Sequence, residues 1–431
     1  MSDYQQRLLR AIPGGAHTYS RGFDQFPQNA PQILSRGKGV YVFDPEGNRY
    51  LDYGMALRAV NIGYAEPEVN AGALREIEHG NNLTRASTIE LEAAETLIDL
   101  VDAIDMVKFT KNGSTSVSAA VKLSRAYTGR TLVARCSDQP FLSYDDWFIG
   151  STVLTRGIPD DTLAHTKLFN YNDLSSLEAL FAEYPDQFAC VVMEAATVEN
   201  PKEGFLEGVP ALCKKHGVVF VVDEMITGFR WHLKGAQHLY GLKPDLCTFG
   251  KAMANGFSVS CVAGRREIME LGSIEFEGRE RVFLLSTTHG AEMSGLGAFV
   301  ATMKFMREHP VVEHLWDYGA KLIALLRAKA EEHGVSHSFK AGGIACSPYY
   351  LTLDASGVSS LPLRTLFSQE MVRNGVLMPW IAISYRHGEE ELALTAQALE
   401  KALPIYRAAL ERGVEHYLVG PAIKPVFRKV N

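Results

Sequence analysis

The stretch GVVFVVDEMITGFR, residues 217–230, decides the predicted fold. It contains an apolar run, Val218–Val222, that is rich in β-branched residues and is followed at once by Asp223 and Glu224. Such a run is typical of a strand buried on both faces, as the strands of parallel sheets are. Because an acid is costly to bury unpaired, we expect Asp223 to be paired or to cap the following turn, and Glu224 to be exposed or to cap that turn.

A second short apolar run, Leu246–Phe249, leads into Gly250 and Lys251. In open α/β sheets, ligands bind at the carboxyl ends of the strands, where Asp223 and Lys251 would both lie. A lysine at this edge can hold pyridoxal 5'-phosphate (PLP) through its amine, and an acid can keep the pyridine nitrogen protonated so that the ring accepts electrons. Taken singly, the two residues also fit ordinary roles, as an exposed lysine and a helix-capping acid.

Strand-like runs alternate with helical segments through the middle of the chain. The candidate strands are Met106–Phe109, Leu132–Ala134, Ala189–Met193, Val218–Val222 and Leu246–Phe249. This alternation predicts an α/β fold with a parallel, helix-covered sheet. Past Gly295, long amphipathic helices and then short strands indicate a smaller α+β domain. We expect an N-terminal segment (1–60) that joins the small domain, a large domain (61–300) and a small C-terminal domain (301–431).

Composition narrows the class of protein. The 431 residues are 46% apolar and 22% charged, which is ordinary for a globular protein, and the net charge of −7 disfavours nucleic acid as a main partner. The chain has no signal-like N-terminus and no apolar run long enough to span a membrane, so we expect no membrane partner. The six cysteines are scattered and no histidine cluster has metal-ligand spacing, which predicts reduced core cysteines, a cytoplasmic protein and no metal.

Residues 112–116, NGSTS, lie between a candidate strand and a candidate helix that is recognisable from Val117 onward. Glycine allows close backbone approach, and the N–H groups at a helix N-terminus bind phosphate. Gly113 and Ser114 are therefore candidate phosphate ligands. Simple helix capping is the alternative. The segment matches neither a Walker motif nor a GxGxxG dinucleotide motif.

Other candidate ligands are scattered along the chain. Phe141, in an aromatic stretch, can stack on a flat ring or pack in the core. Thr288 can contact a phosphate from a neighbouring subunit or belong to a polar turn. Arg21, Arg58 and Arg386 are candidates for holding a substrate carboxylate, since a guanidinium binds carboxylates in a bidentate manner, although each also fits a surface arginine.

Several ordered motifs resemble one family. They are PGG (13–15), SRGF (20–23), KGVYVFDPEGNRYLDY (38–53), AVKLSRAYTGR (120–130), VVDEMITGFR (221–230), TFGKAMANG (248–256) and STTHGAE (286–292). Together they resemble the class III (subgroup II) PLP-dependent aminotransferases of fold-type I, the family that includes glutamate-1-semialdehyde 2,1-aminomutase. The resemblance covers roughly residues 10 to 400. It implies a large domain with a mostly parallel seven-stranded sheet and a homodimer with shared active sites.

The resemblance also implies roles for individual residues. Lys251 would bind the cofactor and move the proton, and Asp223 would pair with the pyridine nitrogen. The other implied contacts are Met225 and Phe141 on the ring, Glu194 near its hydroxyl side, Gly113 and Ser114 on the phosphate, Thr288 on the phosphate of the partner chain, and Arg21 on the substrate carboxylate.

Departures from the aminomutase pattern bear on the substrate. The glycine-rich segment after the lysine is replaced by Met253-Ala254-Asn255-Gly256-Phe257, Leu57 stands at the position of a pocket tryptophan, and Arg58 and Arg386 add cations. These changes favour a transaminase that moves an amino group from L-glutamate to an anionic aldehyde or ketone. We expect an acidic oxidised sugar, such as the 8-aldehyde of 3-deoxy-octulosonate used for lipopolysaccharide. The alternatives are the aminomutase, a racemase or decarboxylase of the same fold, and a binding protein without catalysis.

Overall fold

The computed structural model describes residues 3–290 and 292–431. Its strands, in chain order, are β1 (Arg36–Lys38), β2 (Tyr41–Phe43), β3 (Arg49–Asp52), β4 (Met106–Thr110), β5 (Leu132–Cys136), β6 (Thr166–Phe169), β7 (Phe188–Met193), β8 (Val219–Asp223), β9 (Leu246–Phe249), β10 (Ser260–Gly264), β11 (Phe339–Ile344), β12 (Ser347–Thr352) and β13 (Val376–Leu377). Its helices are α1 (Tyr4–Ala11), α2 (Met55–Arg58), α3 (Pro67–Glu78), α4 (Thr88–Leu100), α5 (Gly113–Thr128), α6 (Asp146–Ile149), α7 (Asp160–Leu163), α8 (Leu174–Glu183), α9 (Phe205–His216), α10 (Ala236–Leu239), α11 (Arg266–Met269), α12 (Met293–Glu308), α13 (Val311–Glu332), α14 (Leu361–Arg373) and α15 (Glu389–Arg412).

The chain divides into two compact units. The larger unit is formed by Pro67–Val312 with the last three residues, and the smaller unit by the residues up to Glu66 together with Glu313–Arg428. Helix α12 packs along α3 and α4 and so belongs with the larger unit. The functional domain boundaries expected from the sequence stay a prediction.

A seven-stranded sheet forms the centre of the larger unit, with strand order β4-β10-β9-β8-β7-β5-β6. The neighbours from β9 to β6 are parallel, and β10 alone in this sheet runs antiparallel to both of its neighbours. Strands β5, β7, β8, β9 and β10 are buried along their whole length, as continuous apolar strands in a helix-covered sheet should be. The predicted α/β fold with a mostly parallel seven-stranded sheet is therefore confirmed.

Two elements begin or end at different residues than the sequence pattern indicates, and both differences concern the site. Strand β8 continues through Asp223, because its register with β9 pairs Asp223 with Thr248. Helix α5 begins at Gly113 rather than near Val117, because the Asn112 side chain caps it by accepting from the Thr115 N–H at 2.9 Å. Gly113 thus lies in the first turn of a 16-residue helix.

The smaller unit contains two sheets of its own. One sheet is formed by β1, β2, β3 and β13, in which β2 and β3 are antiparallel and β13 joins β3 in parallel. Strands β11 and β12 form an antiparallel pair. Helices α14 and α15 pack against each other in the same unit.

Segment α2 has an unusual backbone. All four of its residues have positive φ, 38° at Met55, 49° at Ala56, 63° at Leu57 and 67° at Arg58, so it is a left-handed helical turn. Left-handed helical backbone costs roughly 1–2 kcal/mol for each residue with a side chain. Other interactions must therefore hold this turn in place.

Two further expectations concern the whole chain. The six cysteines are all buried and form no disulfide, as the scattered spacing predicts. Among residues 3–290 and 292–431, no helix is both long and apolar enough to cross a membrane.

Candidate active site

Asp223 lies at the carboxyl edge of the seven-stranded sheet, as the last residue of β8. Its side chain is 1% exposed. Oxygen Oδ1 accepts hydrogen bonds from the Thr248 hydroxyl and from the Met225 N–H, both at 2.9 Å. These two donors hold the carboxylate in one orientation at the end of the strand.

The charge of Asp223 is not compensated by hydrogen bonds alone. Burial raises the pKa of Asp223 to about 6, and the positive charge of Lys251 opposes that rise. The Lys251 ammonium therefore lies within electrostatic reach of the carboxylate. Because ionising this buried acid is costly, a positive charge brought by a ligand would stabilise its carboxylate.

Lys251 is separated from β9 by Gly250 alone and opens a short 3-10 helix, Lys251–Ala254. Its φ is +46°, a left-handed backbone conformation that residues with side chains adopt rarely. The three residues that follow are fully buried, whereas Lys251 is partly exposed. Strained backbone of this kind clusters at functional sites, where it directs a side chain.

Two glycines allow close packing around Met225, which is 5% exposed. A Cβ atom on Gly113 would come within 2.7 Å of the Met225 Sδ, and one on Gly250 within 2.6 Å of the same sulfur. No side chain fits at either position without a shift of the neighbours. The start of α5 and the residue before Lys251 are thus both held close to one methionine side chain.

The N-terminus of α5 faces this edge of the sheet. Ser114 is 5% exposed, and its hydroxyl oxygen accepts a hydrogen bond from the Tyr144 N–H at 3.0 Å. Its hydroxyl hydrogen can still be donated to a ligand. The first N–H groups of a 16-residue helix and its dipole favour an anion here.

Loops after β5 and β7 complete this edge of the larger unit. Phe141 is 46% exposed and packs edge-on against Phe148, with ring centroids 5.8 Å apart. Glu194 follows β7 and is 4% exposed. Gln139 binds the Glu194 backbone at both groups, since it accepts from the N–H at 2.8 Å and donates to the carbonyl at 2.9 Å. The sequence interpretation missed Gln139, because a single glutamine beside the aromatic stretch does not indicate a contact with the backbone of Glu194.

Comparison with known proteins identifies the family of the chain. The family model for Aminotransferase class-III matches residues 24–348. The chain belongs to the class-III aminotransferases. A curated relative, the 3-aminobutyryl-CoA aminotransferase of Cloacimonas acidaminovorans (strain Evry), is 31% identical over 409 residues, which is 92% of this chain and 95% of the relative.

Solved structures show the same fold for this aminotransferase. The FumI protein of Sphingopyxis sp. MTA144 superposes with a TM-score of 0.86 at 26% identity, covering 95% of this chain and 97% of its own. A glutamate-1-semialdehyde aminomutase from Pseudomonas aeruginosa PAO1 superposes with a TM-score of 0.81 at 22% identity, covering 94% of both chains. The fold is therefore fold-type I, and the cofactor of this aminotransferase is PLP, as predicted.

The residues of the larger unit fit PLP. The first turn of α5, with Gly113 and Ser114, suits the phosphate, and buried Asp223 suits a protonated ring nitrogen. Lys251, just after the end of the neighbouring strand, would supply the amine. This donor set has one anion site, one buried acid and one amine, which is what the cofactor requires.

Glu224 corrects one expectation from the sequence. It is 0% exposed, and its carboxylate accepts from the Ala236 N–H at 3.0 Å, the Gln237 N–H at 2.7 Å and the Thr227 hydroxyl. It therefore caps helix α10, which begins twelve residues later, rather than lying exposed or capping only the adjacent turn. Burial raises the pKa of Glu224, and the hydrogen bond from Thr227 opposes that rise.

Thr288 lies in the exposed segment before α12. Its carbonyl accepts a hydrogen bond from Asn82 Nδ2 at 3.2 Å, and Nδ1 of neighbouring His289 is 3.3 Å from the same amide nitrogen. The segment is further tied to the chain before α4 because Asn81 donates to Glu292 at 3.0 Å. The predicted contact of Thr288 with a partner's phosphate stays a prediction.

The three candidate arginines all belong to the smaller unit. Arg21 is exposed and Arg58, at the end of the left-handed turn, is partly exposed. Arg386 makes a bidentate ion pair with Glu66, with Nε 3.1 Å and Nη2 2.9 Å from the two carboxylate oxygens. Because Glu66 is 5% exposed, Arg386 neutralises a buried acid, and binding a substrate would require this pair to open.

One other group of acids and histidine comes together in the smaller unit. Ligand atoms of Glu332, His333 and Glu400 lie within 4.8 Å of one another. Lys329 donates to both carboxylates. Its ammonium group already supplies the positive charge that these two acids need, so the cluster is an ion-pair network.

Proposed function

We propose that this aminotransferase transfers the amino group of L-glutamate to an aldehyde or ketone that carries an anionic group. The observation that supports an anionic substrate is the placement of Arg21 and Arg58 in one unit, where Arg58 ends a turn that is bound to Tyr64 and Arg21 lies within electrostatic reach of the Tyr64 hydroxyl. A planar guanidinium matches a carboxylate by two parallel hydrogen bonds.

The residues of the larger unit would bind the cofactor and transfer the proton. PLP, when bound, stabilises negative charge at the substrate Cα. Lys251 would carry the proton to and from that carbon as general acid and base, because it stands at the edge where the cofactor binds. Asp223 would keep the ring nitrogen protonated, while Gly113 and Ser114 hold the phosphate. Met225, Phe141 and Glu194 would surround the ring.

The role of Lys251 can be tested by retention of the cofactor. Lys251→Ala should release PLP on dialysis and lose the yellow colour of the lysine-linked cofactor, while Lys243→Ala, a change at an exposed lysine near the same strand, should keep both. Transamination should fall by several orders of magnitude in the first variant only. If Lys251→Ala kept its colour and its turnover, the assignment of the whole site would be wrong.

An acidic oxidised sugar, such as the 8-aldehyde of 3-deoxy-octulosonate, remains our preferred acceptor on the basis of the sequence motifs. A second candidate is a substrate with its amino group at carbon 3, because a relative with 31% identity is a 3-aminobutyryl-CoA aminotransferase. In that case carbon 1 of the substrate would be an uncharged thioester, and the negative charge would lie on the phosphates of coenzyme A, far from the reacting carbon.

The two candidates can be separated by half-reactions. The enzyme is first treated with L-glutamate, freed of it, and then mixed with single acceptors while the return of the yellow form is followed. Fast return with the sugar aldehyde supports the first candidate, and fast return with a 3-oxoacyl thioester supports the second. Turnover of glutamate-1-semialdehyde without any amino donor would instead identify an aminomutase, and reaction of an amino acid without an acceptor a racemase or decarboxylase.

We also propose a homodimer in which Thr288 contacts the phosphate held by the partner subunit. Lys251→Ala and Thr288→Ala subunits, mixed after reversible dissociation, should regain part of the activity that each lacks alone, because one of the two sites in a mixed dimer is then intact. No recovery in mixed dimers, with sedimentation showing that they form, would contradict shared sites.

A further inference from the structure

The left-handed turn Met55–Arg58 is held by side chains from outside it. The Asp52 carboxylate, 4% exposed, accepts from the Gly54 N–H at 2.7 Å through Oδ1 and from the Met55 N–H at 3.1 Å through Oδ2. A Cβ atom on Gly54 would come within 2.9 Å of Asp52 Oδ1, so only glycine fits between the carboxylate and the turn.

Tyr64 extends this hold to the next amide. Its hydroxyl donates to Asp52 Oδ2 at 2.6 Å and accepts a hydrogen bond from the Ala56 N–H. Trp380 donates from its indole nitrogen to the Gly54 carbonyl at 3.0 Å. Three successive amides are thus bound by one carboxylate and one hydroxyl, and the turn has no glycine within it to relieve its backbone.

The pair is linked to two of the candidate carboxylate-binding arginines in different ways. Arg58 is the last residue of the turn, so its Cα position is set by the turn. Burial raises the pKa of Tyr64, and the positive charge of Arg21 opposes that rise, which places the Arg21 guanidinium within electrostatic reach of the Tyr64 hydroxyl. The Asp52–Tyr64 pair therefore sets the backbone position of Arg58 and lies within electrostatic reach of Arg21.

We propose that Asp52 and Tyr64 are positioning residues for substrate specificity, which lock the left-handed turn and so fix Arg58 for a substrate carboxylate. The part of this inference that concerns the carboxylate rests on the proposed function. The pair itself does not contact the substrate, and its effect is on which substrates bind rather than on the proton transfer at Lys251.

The mildest test removes the Tyr64 hydroxyl. Tyr64→Phe keeps the ring but leaves the Ala56 amide without its hydroxyl acceptor and removes one of the two donors to Asp52 Oδ2. We expect the KM for carboxylate-bearing donors and the Kd of glutarate, a dicarboxylate that is not consumed, to rise about tenfold, as the loss of a hydrogen bond of ordinary strength allows. The kcat and the KM for a neutral primary amine should stay within about twofold of wild type.

A second change should reverse the first. Glycine adopts positive φ without strain, so Ala56→Gly in the Tyr64→Phe background should restore the left-handed turn and return the Kd of glutarate towards the wild-type value. Tyr50→Phe is the matched control, because Tyr50 lies in the same sheet as Asp52 and its hydroxyl reaches only Asp44, at 3.5 Å. That control should leave glutarate binding unchanged.

The outcomes separate this inference from the proposed function. If Arg58→Ala weakens glutarate binding and Tyr64→Phe does not, the positioning role is wrong and the anionic substrate stands. If wild type does not distinguish carboxylate-bearing from neutral substrates, the proposed substrate class is wrong. A Tyr64→Phe variant that only melts earlier, with glutarate binding intact, shows a purely structural tyrosine and overturns the inference.

Discussion

The replacement Asp223→Asn isolates the energetic cost of the buried carboxylate. Asparagine has nearly the same shape, and its Oδ1 can accept the same hydrogen bonds from Thr248 and Met225 that Asp223 accepts at 2.9 Å. What changes is the charge. In protein freed of PLP, the positive charge that lowers the pKa of Asp223 is that of Lys251.

The magnitude follows from the pKa. A rise from 3.8 to about 6, at about 1.4 kcal/mol for each pKa unit, makes ionised Asp223 cost about 3 kcal/mol of folding free energy at pH 8. A carboxyl with a higher pKa in the folded state binds its proton more tightly there, so stability falls as the pH rises from about 4 to 6 and is constant above. At pH 5 the cost is about half as large.

Cofactor-free Asp223→Asn should therefore be more stable than cofactor-free wild type, by about 3 kcal/mol at pH 8 and about half of that at pH 5. Urea unfolding at the two pH values, followed by circular dichroism, measures the difference. Asp186→Asn is the control, since the Asp186 side chain is 83% exposed and should show no such dependence.

Binding of PLP should reverse the order. The protonated ring nitrogen supplies the cation that the carboxylate lacks, so wild type should gain more stability from PLP than the variant does, and the variant should transaminate far more slowly. A difference between the two proteins that does not change with pH would refute the reasoning, as would a cofactor-free variant that is less stable at pH 8.

Three further changes test the packing around the site, each by urea unfolding. Gly250→Ala would place a Cβ within 2.6 Å of the Met225 sulfur, and should cost about 1–3 kcal/mol and weaken retention of PLP; unchanged retention would contradict the tight packing. Glu224→Ala leaves two buried amides without an acceptor and should cost about 3 kcal/mol, with Glu224→Gln costing less; equal losses would contradict a capping role. Arg386→Ala leaves Glu66 buried and unpaired and should cost about 2 kcal/mol, whereas Arg386→Lys should retain part of that stability. If Arg386→Ala did not lower the free energy of unfolding, the ion pair would not be needed for stability, and Arg386 in the wild type could bind substrate instead.

The sequence predicts best those parts of the fold that depend on uninterrupted apolar runs. Strands β8 and β9 are such runs, and their polar ends carry Asp223 and Lys251. Strands β6 and β10 were not recognised, because Thr166–Phe169 has only two apolar residues after two polar ones and Ser260–Gly264 consists mainly of small residues. The number of seven strands came from the family resemblance and not from the pattern.

The polar contacts of the site were less predictable. Glu224 caps a helix twelve residues away, and Gln139 binds the backbone of Glu194 from another loop, so neither contact leaves a local pattern in the sequence. The same applies to the left-handed turn at Met55–Arg58, since Met-Ala-Leu-Arg contains no residue that favours positive φ. Its conformation depends on Asp52 and Tyr64, which lie on either side of it in the chain.

The antiparallel strand β10 has a consequence for how the enzyme can diverge. Strand β10 is antiparallel to both β4 and β9, so β4 and β9 run in the same direction. Helix α5, which follows β4, therefore begins at the same edge of the sheet as Lys251. Adjacent strands are about 4.8 Å apart. The start of α5, which follows β4, is therefore two strand spacings from Lys251, and Lys251 is one strand spacing from Asp223. The proposed phosphate site, lysine and acid would thus be spaced by the strands of one sheet. Substitutions in the loops and arginines of the smaller unit would leave that spacing unchanged.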